Sequence, residues 1–260
     1  MSRSPILIEE EGAFRKIILN RPERRNAMTP EMQMELIAAL ERTPAKGCRA
    51  LVLTGAGDAF CSGLDLTAFQ PKNSKSALEA RTEAERVARM FLALHELETP
   101  SIAAVNGPAI GGGAGLAIVC DLTLATPEAK FGFTETRIGF VPAVVSAFLT
   151  LQIGEKRSRD LLLTGRIVDA EEAMRMGLVN EVVPHEELQQ RTRTLADKLA
   201  HNSPQATRTT KQLLAAHWKS WLDAAMVAAI NASVEARESP DFREGVAAFL
   251  EKRKPVWTKD

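Results

Sequence analysis

The sequence predicts an α/β domain followed by a helical last third. Two observations carry that expectation. Short apolar runs alternate with amphipathic stretches up to about residue 150, as crossovers between parallel strands require. From about Glu155 onward nearly every segment has helical periodicity, with Val179–Val183 the one strand-like run. Ile6–Glu10 and Phe14–Leu19 read as a hairpin turning at Gly12, and Pro22 ends the pairing. Thr29 and Pro30 form a helix start, followed by Met32, Leu36, Ile37 and Leu40 on one face. Arg49–Thr54 is a buried strand, and a polar helix is expected over about Ser76–Glu98, stopped by Pro100. Ser101–Cys120 carries no charge, but its glycines and Asn106-Gly107-Pro108 suit a buried strand, turn and buried helix better than a membrane span. A strand near Asp121–Ala125 comes next. Helices are then expected over Arg157–Thr164, Ala170–Met176, Glu186–Ala200, Pro204–Trp218 and Leu222–Glu238.

Composition removes several functions. The 33 basic residues balance 33 acidic ones, so no global field collects nucleic acid or an anionic membrane. Three scattered cysteines, Cys48, Cys61 and Cys120, suggest neither a disulfide framework nor a metal site, and a reducing cytoplasm is the expected compartment. The N-terminus turns acidic after three apolar residues, unlike a secretory or transit leader. Nucleophile-elbow, phosphate-loop and H-E-x-x-H patterns are absent, and His95, His185, His201 and His217 read as solvated surface residues. A hydrolase triad is therefore not expected.

Two segments point to chemistry. Ala59-Phe60-Cys61-Ser62-Gly63-Leu64-Asp65-Leu66 and Asn106 through Ala117, with its Gly111-Gly112-Gly113 run, each follow a buried strand. A glycine bend leading into a helix leaves backbone N–H groups without acceptors at the positive end of the helix dipole. Two such ends together can hold one developing oxyanion. No phase of Gly111–Gly115 fits the dinucleotide pattern G-x-G-x-x-G. Tight packing of helix on sheet is the competing explanation for either glycine run taken alone.

With Leu19-Asn20-Arg21-Pro22-Glu23-Arg24-Arg25-Asn26-Ala27-Met28, Ala103–Gly113, Cys120-Asp121, Leu163-Thr164-Gly165-Arg166 and Ala248–Lys254, these segments make nearly the whole chain resemble the enoyl-CoA hydratase/isomerase, or crotonase, family. That resemblance implies a spiral of ββα units over 1–195 and a C-terminal helical trimerisation region over 196–260. It implies an oxyanion hole made by the N–H groups of Leu64 and Gly112. Coenzyme A would lie against Arg25, Ala27 and Ser62, beside Asp65 and Leu66, with Phe249 and Lys252 reaching the ligand from the C-terminal helix, often that of a neighbouring subunit. A homotrimer or dimer of trimers follows, with an acyl-CoA thioester as substrate and no permanently bound cofactor or metal. By residue chemistry alone Asp65 reads as a helix N-cap.

The resembling hydratases use two glutamates. One position is Gly115 here; the other is Glu135, in Thr134-Glu135-Thr136-Arg137. One carboxylate suits a 1,3-shift of a double bond, which removes and returns a single proton, whereas hydration needs a base for water and an acid for the α-carbon. Pro142-Ala143-Val144-Val145-Ser146 resembles branched or glutaconyl-type hydratases that work with one glutamate. Hydration or dehydration of an enoyl-CoA, double-bond isomerisation and silent acyl-CoA binding all remain open. In the catalytic readings, an acyl wall of Phe133, Ile138, Phe140 and Val141 should raise the Glu135 pKa. Pocket depth would depend on Ala68–Ala88, whose Lys, Glu, Arg and Ser run reads as mobile.

Overall fold

The computed structural model describes residues 4–43, 47–69 and 76–258. Strands β1 (Ile6–Glu11) and β2 (Phe14–Leu19) pair antiparallel with Glu11 opposite Phe14, and Gly12 supplies the turn at φ +63°. Thr29 caps α1 (Pro30–Glu41) by accepting from the Met32 N–H at 3.2 Å. β3 (Ala50–Gly55), β4 (Ser101–Val105), β6 (Leu122–Ala125) and β9 (Glu181–Val182) then add in parallel, giving the order β1-β2-β3-β4-β6-β9. Ser76 and Glu79 close a capping box at the start of α2 (Ala77–His95), within the range expected. Of Ala68–Ala88, residues 70–75 lie outside the described residues.

Alternation along the strands builds two apolar layers. Leu51, Leu53, Ala103 and Val105 face the main core with α1, α2, α3 (Gly112–Val119) and α4 (Ala143–Thr164). Their neighbours Ala50, Val52, Ile102 and Ala104 face a smaller core closed by Leu188 and Ala196 of α6 (Leu188–His201). Central strands covered on both faces are the reason these runs read as continuously apolar.

Three differences from the sequence expectations have physical causes. A second sheet, β5-β7-β8, is formed by Ala109–Ile110, Lys130–Gly132 and Ile167–Asp169, segments too short to show a period. Helix α4 starts at Ala143, well before Arg157, and breaks at Gly154 (φ 76°, ψ 164°), which disrupts its pattern. The two helices expected after Pro204 are one, α7 (Pro204–Glu238), since Lys219-Ser220-Trp221 contains no breaker. Around it lie α5 (Ala170–Met176) and α8 (Pro240–Leu250). Units β1-β2-α1, β4-β5-α3 and β6-β7-α4 share the ββα order, with β3 and α2 between the first and the second. His95 also departs from expectation: its ring lies 5.4 Å from that of Phe148, Nε2 is buried without a partner, and burial pushes its pKa down. His185, His201 and His217 are exposed. Among the described residues no helix is long and apolar enough to cross a membrane.

Candidate active site

The two glycine bends touch. Gly63 turns at φ +87°, and a Cβ added there would lie 2.9 Å from the Ile110 carbonyl oxygen and 3.5 Å from the Gly112 nitrogen. Parallel bridges hold the contact: Met28 pairs with Leu64, Cys61 pairs with Ala109, and Ile110 N–H donates to the Cys61 carbonyl at 2.9 Å. Gly111, at φ +55°, is the N-cap of α3, so Gly112 begins the helix with no acceptor one turn before it. Among the described residues no hydrogen bond uses the Leu64 N–H either. Both amides border one cavity of about 560 Å³.

Glu135 lines the same cavity from the short 3-10 turn Glu135–Ile138 that follows β7. Its carboxyl packs on the bare face of Gly111, where an added Cβ would stand 3.1 Å from Oε1. Oε2 is buried and has no hydrogen-bond partner. Burial disfavours the charged form and raises the pKa to about 7, partly offset by the residue's own backbone N–H. The turn is held from behind by α8: a Cβ on Gly245 would clash with the Ile138 carbonyl oxygen at 2.2 Å, and the rings of Phe140 and Phe242 are 4.8 Å apart.

Arg25, Ala27, Ser62, Asp65 and Leu66 border the cavity, and of these Arg25 is exposed and the other four are half-buried. Arg25 and Asn26 both adopt left-handed backbone (φ 48° and 55°). The buried Asn26 amide stabilises that conformation by donating to the Ala56, Ala59 and Phe60 carbonyls and accepting from Arg21 N–H. Asp65 caps the 3-10 turn Leu66–Phe69, taking the Thr67 N–H at 3.2 Å and its hydroxyl at 2.7 Å, and also pairs with Arg21 at 3.0 Å. Burial works to raise the Asp65 pKa, but the Thr67 and Arg21 bonds outweigh it and hold it below the usual range.

Ile138, Phe140, Val141 and Phe249 also line the cavity. Phe133 does not: it is fully buried in the main core, in step with Phe131, because alternation after β7 turns both rings inward. Lys252 lies beyond the end of α8, outside this cavity lining. Phe91 and Ser233 on the wall, and Asn26 and Arg21 in the supporting loop, are site residues that the sequence reading does not name as such. Asn26, Arg21 and Val145 stand within segments that carry the family resemblance; Phe91 and Ser233 have no local signal. At Gly115 an added Cβ would meet Val145 at 2.7 Å and the Phe91 ring at 2.8 Å, so apolar side chains fill the place of a second acid. Among the described residues no group of three or more His, Cys, Asp or Glu is placed to hold a metal ion.

Comparisons with known proteins agree with this geometry. The family profile described as Enoyl-CoA hydratase/isomerase matches residues 9–260. A putative enoyl-CoA hydratase of Thermus thermophilus is 43% identical over 247 residues, covering 95% of this chain and 98% of the relative. The crotonyl-CoA hydratase of Syntrophomonas wolfei is 34% identical, covering 98% of each chain. A crystal structure of an enoyl-CoA hydratase/isomerase from Pseudoalteromonas atlantica superposes with a TM-score of 0.87 at 33% identity, covering 98% of this chain and all of that one. With a profile match over nearly its full length and relatives of this similarity, the chain belongs to the enoyl-CoA hydratase/isomerase family.

Proposed function

We propose that this protein is an enzyme that hydrates the double bond of 2-enoyl-CoA thioesters, with Glu135 as its single acid/base. The thioester carbonyl accepts from the Leu64 and Gly112 N–H groups, which stabilise the negative charge that gathers on its oxygen as the enolate forms. Ionised Glu135 takes a proton from water as the water oxygen bonds to the β-carbon. The same carboxyl then returns a proton to the α-carbon, leaving a 3-hydroxyacyl thioester. Coenzyme A lies along Arg25, Ala27 and Ser62, with the Arg25 guanidinium on a phosphate. The observation that carries the reading is the Glu135 carboxyl packed against Gly111, its Oε2 buried without a partner and its pKa raised to about 7, in the cavity that Leu64 and Gly112 also line.

Gly115 favours a second reading. With Phe91 and Val145 closing that position, one carboxyl serves the whole site, which suits a Δ3,Δ2-enoyl-CoA isomerase. Mass analysis of products from crotonyl-CoA and a 3-enoyl-CoA in D₂O separates the two. Added water means hydration; deuterium gain without water means isomerisation; no product with acyl-CoA binding intact means a silent binder.

The proposal includes assembly into trimers. Leu214, Trp218 and Trp221 stand at i, i+4 and i+7 on α7, exposed by 61%, 52% and 44%, and Phe249 and Trp257 add apolar surface near the C-terminus. Sedimentation equilibrium is expected to give a multiple of three chains, reduced by Trp218→Arg; a monomer at micromolar concentration would refute assembly.

A further inference from the structure

The amide half and the acid half of the site come from different stretches of chain, and the touching glycine bends join them at one place. A single joint leaves freedom to tilt; a second removes it. Phe242 supplies the second. It is buried near the start of α8, with its N–H held by the Ser239 hydroxyl at 3.1 Å. Its ring meets one ring from each half: Phe140, with centroids 4.8 Å apart at 38°, and Phe69, edge-on at 5.7 Å and 72°.

Both contacts lead by short links to the reacting groups. On the acid side, the Phe140 N–H donates to the Glu135 carbonyl at 3.0 Å and so closes the turn that carries the carboxyl. Gly139 presses on the same helix, since an added Cβ would lie 2.4 Å from the Asp241 carbonyl oxygen. On the amide side, Phe69 ends the 3-10 turn Leu66–Phe69, which follows directly on Leu64 and its neighbour Asp65. The Asp65 carbonyl accepts from the Ala68 N–H at 3.2 Å, so little slack separates the Leu64 amide from the Phe69 ring. The Arg237 guanidinium of α7, paired with Glu83 of α2, lies over that ring 4.9 Å from its centroid. Phe69 and Phe242 themselves stand outside the lining of the cavity.

We infer that Phe242 is a positioning residue: by bridging Phe69 and Phe140 it sets the placement of the Glu135 carboxyl relative to the Leu64 and Gly112 amides. This rests on the acyl-CoA reading of the cavity and adds a residue outside the cavity on which the rate depends. Amides and carboxyl must match the spacing between the carbonyl oxygen and the reacting carbons of one thioester, and a misplacement of about 1 Å costs about a hundredfold in rate. The groups proposed for coenzyme A, Arg25, Ala27 and Ser62, lie on neither side of the bridge, so affinity is spared.

Kinetics separate positioning from support of the fold. The kcat per folded chain is measured with whichever of crotonyl-CoA and a 3-enoyl-CoA wild type converts, and the Kd of hexanoyl-CoA by calorimetry. Phe242→Leu is expected to lower kcat by about tenfold to a hundredfold while the Kd stays within about twofold. In a Glu135→Gln background, where no carboxyl remains to be placed, the same substitution should change kcat by less than about threefold. A residue that only supports the fold would lower both backgrounds equally. The inference is overturned if folded Phe242→Leu keeps kcat within about threefold of wild type, if the two backgrounds lose equally, or if the Kd weakens as much as kcat falls. If Phe242→Leu does not fold, Phe69→Leu breaks the same bridge from the half-buried turn and is held to the same outcomes. Normal wild-type turnover with an unaffected Phe242→Leu would sink this inference and spare the reading of the reaction; no turnover of either substrate by wild type would sink both.

Discussion

Positions 111 and 115 hold the same residue at the start of the same helix, yet they create opposite environments. At Gly111 the missing side chain leaves a slot for a carboxyl, with Glu135 Oε1 3.1 Å from where a Cβ would be. At Gly115 the corresponding space is taken by the Phe91 ring and by Val145. One bare backbone thus admits a proton carrier and the other completes an apolar wall. Glycine by itself specifies neither outcome; the element packed opposite decides it.

Removing the acid on one side of that contrast should have the largest effect. Glu135→Gln keeps the shape and is expected to lower kcat by about 10² to 10⁴, equivalent to about 3 to 5 kcal/mol, while acyl-CoA still binds. A rate within threefold of wild type would remove Glu135 from its role.

The same carboxyl should make stability depend on pH. Its folded pKa of about 7 lies above the ordinary 4.5, so the fold favours the neutral form. That contribution is complete below about pH 4.5 and is lost as pH rises through 7, on the order of 3 kcal/mol in total. Urea unfolding of wild type and Glu135→Gln at pH 5 and pH 8 should show the variant gaining relative stability at the higher pH. A constant difference between them would contradict the burial of this group. Catalysis in the hydration direction needs the ionised form, so kcat/KM should rise through the same region.

The apolar side of the contrast predicts a smaller loss. Gly115→Ala forces a methyl to within 2.9 Å of Phe91 and Val145 and should destabilise by about 1 to 3 kcal/mol in chemical denaturation. Phe91→Leu should relieve part of that, giving a favourable coupling in the double-mutant cycle. Additive effects would mean that the ring does not fill the site. Smallest is Asp65→Asn, which weakens the tie from Arg21 beside Leu64 and should reduce kcat/KM by about five- to tenfold, in keeping with one charge-assisted hydrogen bond. An unchanged value would leave Asp65 only as the cap of its turn.

Much of this site was legible locally. A glycine after a buried strand announces a bend whatever lies beyond it, so Gly63 and the triple glycine stand out, whereas Glu135 by residue chemistry alone reads as a surface acid beside Arg137 and only the family resemblance gives it a role. Phe133 was assigned to the acyl wall through nearness in sequence to Glu135, but strand alternation turns it into the core. Phe91 has no local mark, because an apolar residue on a helix looks the same whether it faces a core or a ligand.

By itself the sequence determined the alternation of strand and helix and the two bends with their unpaired amides, since each depends on backbone preferences or on residues close together along the chain, while the role of Glu135 came from resemblance to the family. Only tertiary structure decided that the bends touch and that Gly111 shelters an acid while Gly115 is filled. Those outcomes arise from contacts between residues far apart along the chain, where close packing of whole elements, and no local preference, selects the neighbour.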